Sequence, residues 1–311
     1  MAGSDGFVVP VICGPTAAGK THAVLALADV VSLEIVSADS RQLYRGFDVG
    51  TAKPTPAERD LVPHQGIDVL DPTQRASAAW WADHADRWIR DALARGRLPI
   101  VVGGTGLYLR ALFGTMFDEP PLDPERRRAL EMELAPLDTT ELRRRVELLD
   151  PERAHLGRTQ LLRTIEVATL TGRRLSVLQR DHATVPRWRA RYLVLDPGPS
   201  LSGTIAARTR AMFAAGWREE VRRLMASVPD DAPAWNASGY RVIRALEQGM
   251  LSLEAAMERV IIETRQYAKR QRTWFRHQLA GKEVTRLDPR AAGFGEALLD
   301  WYGTGAGEAG A

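Results

Sequence analysis

Gly14-Pro15-Thr16-Ala17-Ala18-Gly19-Lys20-Thr21 is the stretch that decides the fold. It matches the pattern G-x-x-x-x-G-K-[ST], in which glycines let backbone amides curl around an anion and the next helix adds the positive end of its dipole. The flanks supply the required context. Phe7–Cys13 is a short apolar run rich in β-branched residues and reads as a buried strand, and Thr21–Val31 carries a helical pattern. In this arrangement Gly14, Pro15, Thr16, Ala17, Ala18, Gly19, Lys20 and Thr21 cradle adjacent phosphates. Lys20 reaches the terminal one and the Thr21 hydroxyl can ligand Mg2+. The motif reports a phosphate chain with magnesium rather than a nucleotide, so ATP, GTP and prenyl diphosphates all fit it.

Outward from this loop, strands and helices alternate. Leu33–Ala38 reads as a second strand ending at Asp39, Trp80–Arg95 as an amphipathic helix, and Pro99–Val102 as a buried strand running into Gly103-Gly104. Such alternation predicts an α/β fold, a P-loop NTPase-like parallel sheet core with crossover helices. The pattern changes near Asp118. From 119 to 191 the residues give charged helical patterns, with Arg126, Arg127, Arg128 and Arg143, Arg144, Arg145 in two runs and no convincing strand. Tyr192–Asp196 then reads as a strand returning to the core. The predicted organisation is a core of residues 1–118 and 192–300, an inserted all-helical domain at 119–191, and a disordered Gly/Ala-rich tail at 301–311. Long helices are expected at about Ser202–Ala226 and Ser252–Gln278.

Composition narrows the class. The chain has 311 residues, a net charge of +3 and one cysteine, Cys13, which rules out an internal disulfide and a thiolate zinc site. No apolar run reaches the ~18 residues that a membrane span needs, and Met1–Gly6 does not read as a signal peptide. A cytoplasmic enzyme is the expectation, and nothing in the sequence demands more than a monomer.

Several side chains lie where chemistry is expected. Asp39 sits at a strand's carboxyl end, the place where ligands bind in open α/β sheets. It can hold magnesium through water, accept a proton, or cap a following helix. Lys53 reads as a phosphate contact or a surface lysine. Thr105 reads as a hydroxyl donor to substrate or a helix cap, and the glycines around it suit close approach of a ligand. Near the C-terminus, Arg265, Lys269, Arg272 and Arg276 are spaced by four, three and four, with Arg270 beside them and Tyr267, Trp274 and Phe275 interleaved. That face fits a nucleic-acid backbone and unstacked bases, or equally a solvated stripe with its aromatics turned inward.

These pieces together resemble the bacterial tRNA dimethylallyltransferase family. The matching segments are Gly14–Thr21, Ser37–Gly46, Asp48–Pro54, Pro63-His64 with Ile67-Asp68, Val102–Tyr108, Gly239-Tyr240-Arg241, and Thr264–Gln271 with Trp274, in family order over almost the whole chain. The resemblance implies a transferase that moves a dimethylallyl group from dimethylallyl diphosphate to the exocyclic amine of the adenosine 3′ of the anticodon. By the same resemblance Asp39 is the general base, and Thr16 and Arg208 stabilise the departing diphosphate. Contacts to tRNA are implied for Asp39, Ser40, Arg41, Gln42, Thr105, Arg127, Gln160, Arg163, Gly239, Tyr240 and Arg241, joined by the basic face of Arg265, Lys269, Arg270, Arg272 and Arg276. The helical insertion would grip the anticodon stem-loop, and the target base would be flipped out, as chemistry on a stacked base requires. Three positions depart from the family pattern. Thr204 stands where an arginine is frequent, Leu161 where a basic residue is common, and Trp80-Trp81 in place of a small residue and an aromatic. The zinc-finger extension of eukaryotic relatives is not expected. Other readings of the phosphate loop are a small-molecule or nucleoside kinase, an adenylate isopentenyltransferase, and an RNA-binding ATPase.

Overall fold

The computed structural model describes residues 7–115, 122–181, 185–279 and 283–306. In chain order they form β1 (Val8–Cys13), α1 (Lys20–Ala28), β2 (Leu33–Ser37), α2 (Pro56–Leu61), β3 (His64–Gln65), α3 (Ala78–Ala94), β4 (Leu98–Gly103), α4 (Gly106–Phe113), α5 (Pro124–Leu134), α6 (Thr139–Leu149), α7 (Arg158–Thr171), α8 (Leu175–Asp181), β5 (Arg189–Leu195), α9 (Leu201–Ala214), α10 (Trp217–Met225), α11 (Tyr240–Glu247), α12 (Leu253–Gln278), β6 (Val284–Leu287) and α13 (Phe294–Ala306).

The chain divides into two compact units, Met1–Phe113 with Arg187–Ala311, and Gly114–Pro186. The first holds a six-stranded sheet in the order β3-β2-β4-β1-β5-β6, with every pairing parallel. β1 can occupy the centre because its residues beyond Val8 are buried, as a strand covered on both faces demands. From β1 the chain moves out to β2, returns through β4, and crosses to β5 on the other side. The carboxyl end of β1 is therefore a topological switch point, where doubly wound sheets open a ligand crevice.

Ile12, Ile35, Ile100, Leu193 and Leu195 form one apolar face, which α1 covers with Ala23, Val24 and Leu27 and α13 with Leu298 and Trp301. α3 is held by a stripe of buried residues at Ala78, Trp81, Ala85, Ile89 and Ala92. Its Trp81 stacks on Tyr108 of α4 at 4.7 Å and donates its indole N–H to the Ser37 carbonyl at the end of β2 (3.0 Å).

The second unit is helical throughout its described residues, with Leu130, Leu134, Leu142, Val146, Leu161 and Ile165 as its core. Leu161 is fully buried, so a basic residue at that place would have no solvent to face.

Three expectations are corrected and two unread strands are added. The insertion begins after Phe113 and ends at Pro186, because Arg189, Ala190 and Arg191 already pair with Val8, Val9 and Pro10 in the sheet. Their alternating polar character hid the start of β5. The single helix expected over Ser202–Ala226 is two, broken where Gly216 takes φ 90°, a conformation that ends α9 and starts α10. The tail expected at 301–311 is helical through Ala306, since burial of Trp301 and Leu298 outweighs the Gly/Ala composition. Residues 307–311 lie outside the described residues. Finally, β3 and β6, at the two edges of the sheet, were too short to read from pattern.

Candidate active site

Gly14 leaves β1 with φ 145°, and a Cβ there would stand 2.3 Å from the Leu195 carbonyl oxygen of β5. Only glycine fits that approach. Gly19 caps α1 in the left-handed region at φ 81°, and Ala17 between them is held at φ 63°. The Lys20 ammonium curls back to donate to the carbonyls of Gly14 (3.1 Å) and Pro15 (2.8 Å). Burial pushes the Lys20 ammonium down to about pKa 8, with Arg208 acting in the same direction and Asp39 opposing both. Thr21 is exposed at the first turn of α1, its hydroxyl open to a ligand.

Asp39 lies two residues past the end of β2. Its Oδ1 accepts the Arg41 N–H at 2.9 Å, so it caps a turn, with no helix following it. Ser40 donates its N–H to the Thr105 hydroxyl at 3.0 Å. Thr105 thus joins the loop after β2 to the start of α4.

From α9, Arg208 donates to the Thr16 hydroxyl. Burial lowers the pKa of its guanidinium, and the Asp39 carboxylate works against that shift. Thr16, Asp39, Arg41, Arg208, Trp217 and Tyr267 line one narrow crevice of about 60 Å³. Arg208 and Met212 also line a wider hollow of about 760 Å³, whose walls include Val49, Pro54, Ala211 and Ala215. The narrow crevice gathers Asp39, Arg41, Arg208 and Thr16, and the broad hollow is mostly apolar. A carboxylate and a guanidinium-bound hydroxyl therefore face the same small space beside a phosphate loop.

The glycines of Gly103-Gly104-Thr105-Gly106 answer to protein rather than ligand. A Cβ on Gly103 would meet the Ala38 carbonyl at 2.2 Å, one on Gly104 the Gln271 Nε2 at 2.4 Å, and one on Gly106 the Trp274 ring at 2.3 Å. Lys53 is neither a phosphate contact nor a surface lysine. It is buried, donating to Asp48 (2.6 Å), Asp68 (2.5 Å) and the Tyr44 carbonyl (2.5 Å).

The residues expected at tRNA do not stand together. Ser40, Arg41 and Thr105 stand at or beside the crevice. Lys269, Arg270, Arg276 and Arg265 are exposed on α12, with Arg270 5.8 Å from the Tyr267 ring and Arg265 donating to the Ser202 carbonyl at 3.4 Å. Arg272 instead binds Asp196 and the Gly198 carbonyl, fastening α12 to the loop after β5. Of the interleaved aromatics, Phe275 is buried and Trp274 packs on Gly106.

Gly239 and Tyr240 are buried and face no solvent. The Tyr240 hydroxyl donates to Glu220 at 2.6 Å, and Gly239 lies so close to Trp217 that a Cβ would meet it at 2.4 Å. They are scaffold, and a direct RNA contact is not open to them. Arg241 is exposed and donates to Asn236 at 2.6 Å. Gln42 is engaged by the Ser37 hydroxyl (3.2 Å) and by the carbonyls of Thr51 and Ala52 (3.3 and 3.1 Å). In the helical unit Arg127 and Arg163 share the buried carboxylate of Glu166, and Gln160 accepts the Gly157 N–H at 3.2 Å. Thr204, where the family frequently has arginine, receives a hydrogen bond from Arg290, which brings a guanidinium to that turn of α9.

Sequence reading missed two supports. Glu220 is buried and accepts the N–H groups of Asp48 (3.0 Å) and Val49 (2.7 Å), fixing the loop before Lys53. Gln271 is buried against the phosphate loop. Each is a single polar residue on an amphipathic helix, and spacing alone does not separate it from a solvated one.

What this crevice can do is hold a diphosphate, help it depart, and take a proton on the opposite side. That is the equipment of a group transferase built on a P-loop scaffold. The chain belongs to the IPP transferase family, whose model matches residues 42–278, and an isopentenyl transferase model matches residues 7–63. A tRNA dimethylallyltransferase of Deinococcus radiodurans is 42% identical over 293 residues, 92% of this chain and 94% of that protein. Another, from Anaeromyxobacter sp. strain Fw109-5, is 46% identical over 274 residues, covering 86% and 91%. Among solved structures, the tRNA isopentenylpyrophosphate transferase of Bacillus halodurans superposes with TM-score 0.69 at 31% identity, over 97% of this chain and 96% of that one. A eukaryotic dimethylallyltransferase described as acting on tRNA gives TM-score 0.74 at 25% identity, over 90% and 73%.

Proposed function

We propose that this crevice transfers a dimethylallyl group from dimethylallyl diphosphate to the exocyclic amine of the adenosine 3′ of a tRNA anticodon, releasing diphosphate. The observation that carries the reading is that Asp39 and the Thr16–Arg208 pair line one crevice beside the phosphate loop. The adenine nitrogen attacks the prenyl C1, and the C1–O bond breaks with its electrons passing to the diphosphate. The proton leaving nitrogen goes to the Asp39 carboxylate. An exocyclic amine conjugated to the ring is a weak nucleophile, so removing its proton during attack matters. The charge that develops on the leaving oxygen meets Arg208 and the Thr16 hydroxyl, which already face the crevice, and Lys20, whose ammonium turns from the Gly14 and Pro15 carbonyls to the bound phosphate. The apolar hollow beside Met212, Ala211 and Val49 suits a five-carbon chain.

Among the described residues no three acidic, histidine or cysteine side chains gather into a metal cage. A Mg2+ ion suits such a site, taking the Thr21 hydroxyl, diphosphate oxygens and water, since that ion keeps several waters and is held largely through substrate phosphates. When bound it would neutralise diphosphate charge. On the RNA side, the exposed Lys269, Arg270, Arg276 and Arg265 meet phosphates, and the helical unit grips the anticodon stem-loop while the base is flipped into the crevice.

The test is transfer of label from dimethylallyl diphosphate to unmodified tRNA with magnesium, with free adenosine monophosphate and ATP as competing substrates. Label in tRNA alone is expected. Label in the free nucleotide, or ATP consumption without a prenyl donor, would replace this reading with an adenylate prenyltransferase or a phosphotransferase.

A further inference from the structure

α12 carries its basic residues outward, and its inward face reaches the reacting loops. Gln271 on that face is buried against two segments distant in sequence. Its Oε1 accepts the Thr16 N–H at 2.8 Å, and its Nε2 donates to the Gly104 carbonyl at 2.8 Å. Both ends of the amide are therefore engaged, and the place is too tight for even a methyl group on Gly104. Most amides of a phosphate loop turn toward the anion. The Thr16 amide is instead taken by α12, while its hydroxyl meets Arg208 at the crevice. One turn earlier on the same helix face, Tyr267 lines the same crevice as Thr16 and Asp39. A single helix thus reaches the crevice and holds the loop bearing the leaving-group hydroxyl.

We propose that Gln271 is a positioning residue for the transfer reaction: by holding the Thr16 amide against the Gly104 carbonyl it fixes the Thr16 hydroxyl where Arg208 and the departing diphosphate meet. The inference rests on the proposed role of Thr16 and extends it to a residue that touches neither substrate. Fixing a reacting group to within a fraction of an ångström is worth orders of magnitude in rate, whereas loss of a general support alters stability and leaves the rate of the folded fraction alone.

The experiment measures single-turnover transfer, with both substrates saturating, for Gln271→Met, Thr16→Val and the double variant in the full chain. Methionine keeps the volume of glutamine and removes both hydrogen bonds. Gln271→Met is expected to slow transfer at least tenfold, with half-saturating donor and tRNA concentrations changed less than threefold. In the Thr16→Val background the same substitution should change the rate less than threefold, because the hydroxyl it positions is gone. Gly104→Ala, which displaces the Gln271 amide without altering it, should reproduce the slow transfer and covers the case in which Gln271→Met does not fold. Equal slowing in both backgrounds, or a change confined to tRNA affinity, overturns the positioning role. Thr16→Val alone transferring at the normal rate would instead overturn the reading of Thr16 on which it rests.

Discussion

Replacing Asp39 by asparagine separates its two jobs. Its Oδ1 accepts the Arg41 N–H at 2.9 Å, and an asparagine carbonyl oxygen can keep that bond, so the turn after β2 should survive with stability changed by less than about 1 kcal/mol. What is lost is the base. A positioned general base contributes ~10²–10⁴ in rate, or about 3–5 kcal/mol on the barrier. A second effect must be separated from the first. Asp39 raises the pKa of Lys20 against the burial that lowers it to about 8. Without the carboxylate that pKa falls further, and near pH 8 more Lys20 becomes neutral, weakening the hold on diphosphate. At pH 6.5, well below about 8, and with saturating donor that effect is suppressed, and the comparison reports the base. Rapid-quench single turnover with radiolabelled donor should then show Asp39→Asn slowed a hundredfold or more, with tRNA affinity within tenfold. A rate within threefold of the parent would refute the general-base assignment and leave Asp39 as the cap of a turn.

Lys20 itself makes donor affinity pH-dependent. The protonated form binds the anion, so affinity should be flat below about pH 8 and weaken above it, by calorimetry with an unreactive diphosphate analogue; Lys20→Met should weaken binding and flatten the profile, leaving tRNA affinity unchanged. Removing Lys269 and Arg276 together should lower the slope of log affinity against log salt by roughly 1.4–1.8, at about 0.7–0.9 per phosphate contact. An unchanged slope would make that face a solvated one. Lys53→Met should destabilise the fold by about 3 kcal/mol in urea unfolding, the low end for a broken buried pair because Asp48 is 55% exposed. Asp68 adds a pH signature. Burial pushes its carboxyl up, but hydrogen bonds from Lys53 and Arg59 outweigh that and hold it below its ordinary value. Its contribution is present above the ordinary carboxylate pKa near 4 and is lost as pH falls below it, a dependence that Lys53→Met should weaken.

The phosphate loop, the parallel sheet and the helical insertion were legible because each obeys a local rule. Gly14 and Gly19 stand where backbone geometry demands them, β1 and β4 are continuous apolar runs, and residues 122–181 keep helical periodicity throughout. The position of Asp39 past the end of β2 was legible too, since the end of a core strand is a short-range feature. Beyond that, side chains from distant segments compete for the same groups, and only the tertiary structure decides the outcome. Arg272 belongs to the same basic stripe as Lys269 and Arg276, yet Asp196 and the Gly198 carbonyl claim it. Lys53 reads as a surface residue until Asp48 and Asp68 close around it, and Tyr240 as an RNA contact until Glu220 takes its hydroxyl in the core. The glycines before α4 suit a ligand in sequence, but Gln271 and Trp274, about 170 residues later (167 from Gly104 to Gln271), fill that space. Periodicity records which face of an element is apolar. It holds no record of which partner, brought near by the fold, satisfies a given polar group, and at this site that pairing determines which polar groups face the crevice and which are held within the fold.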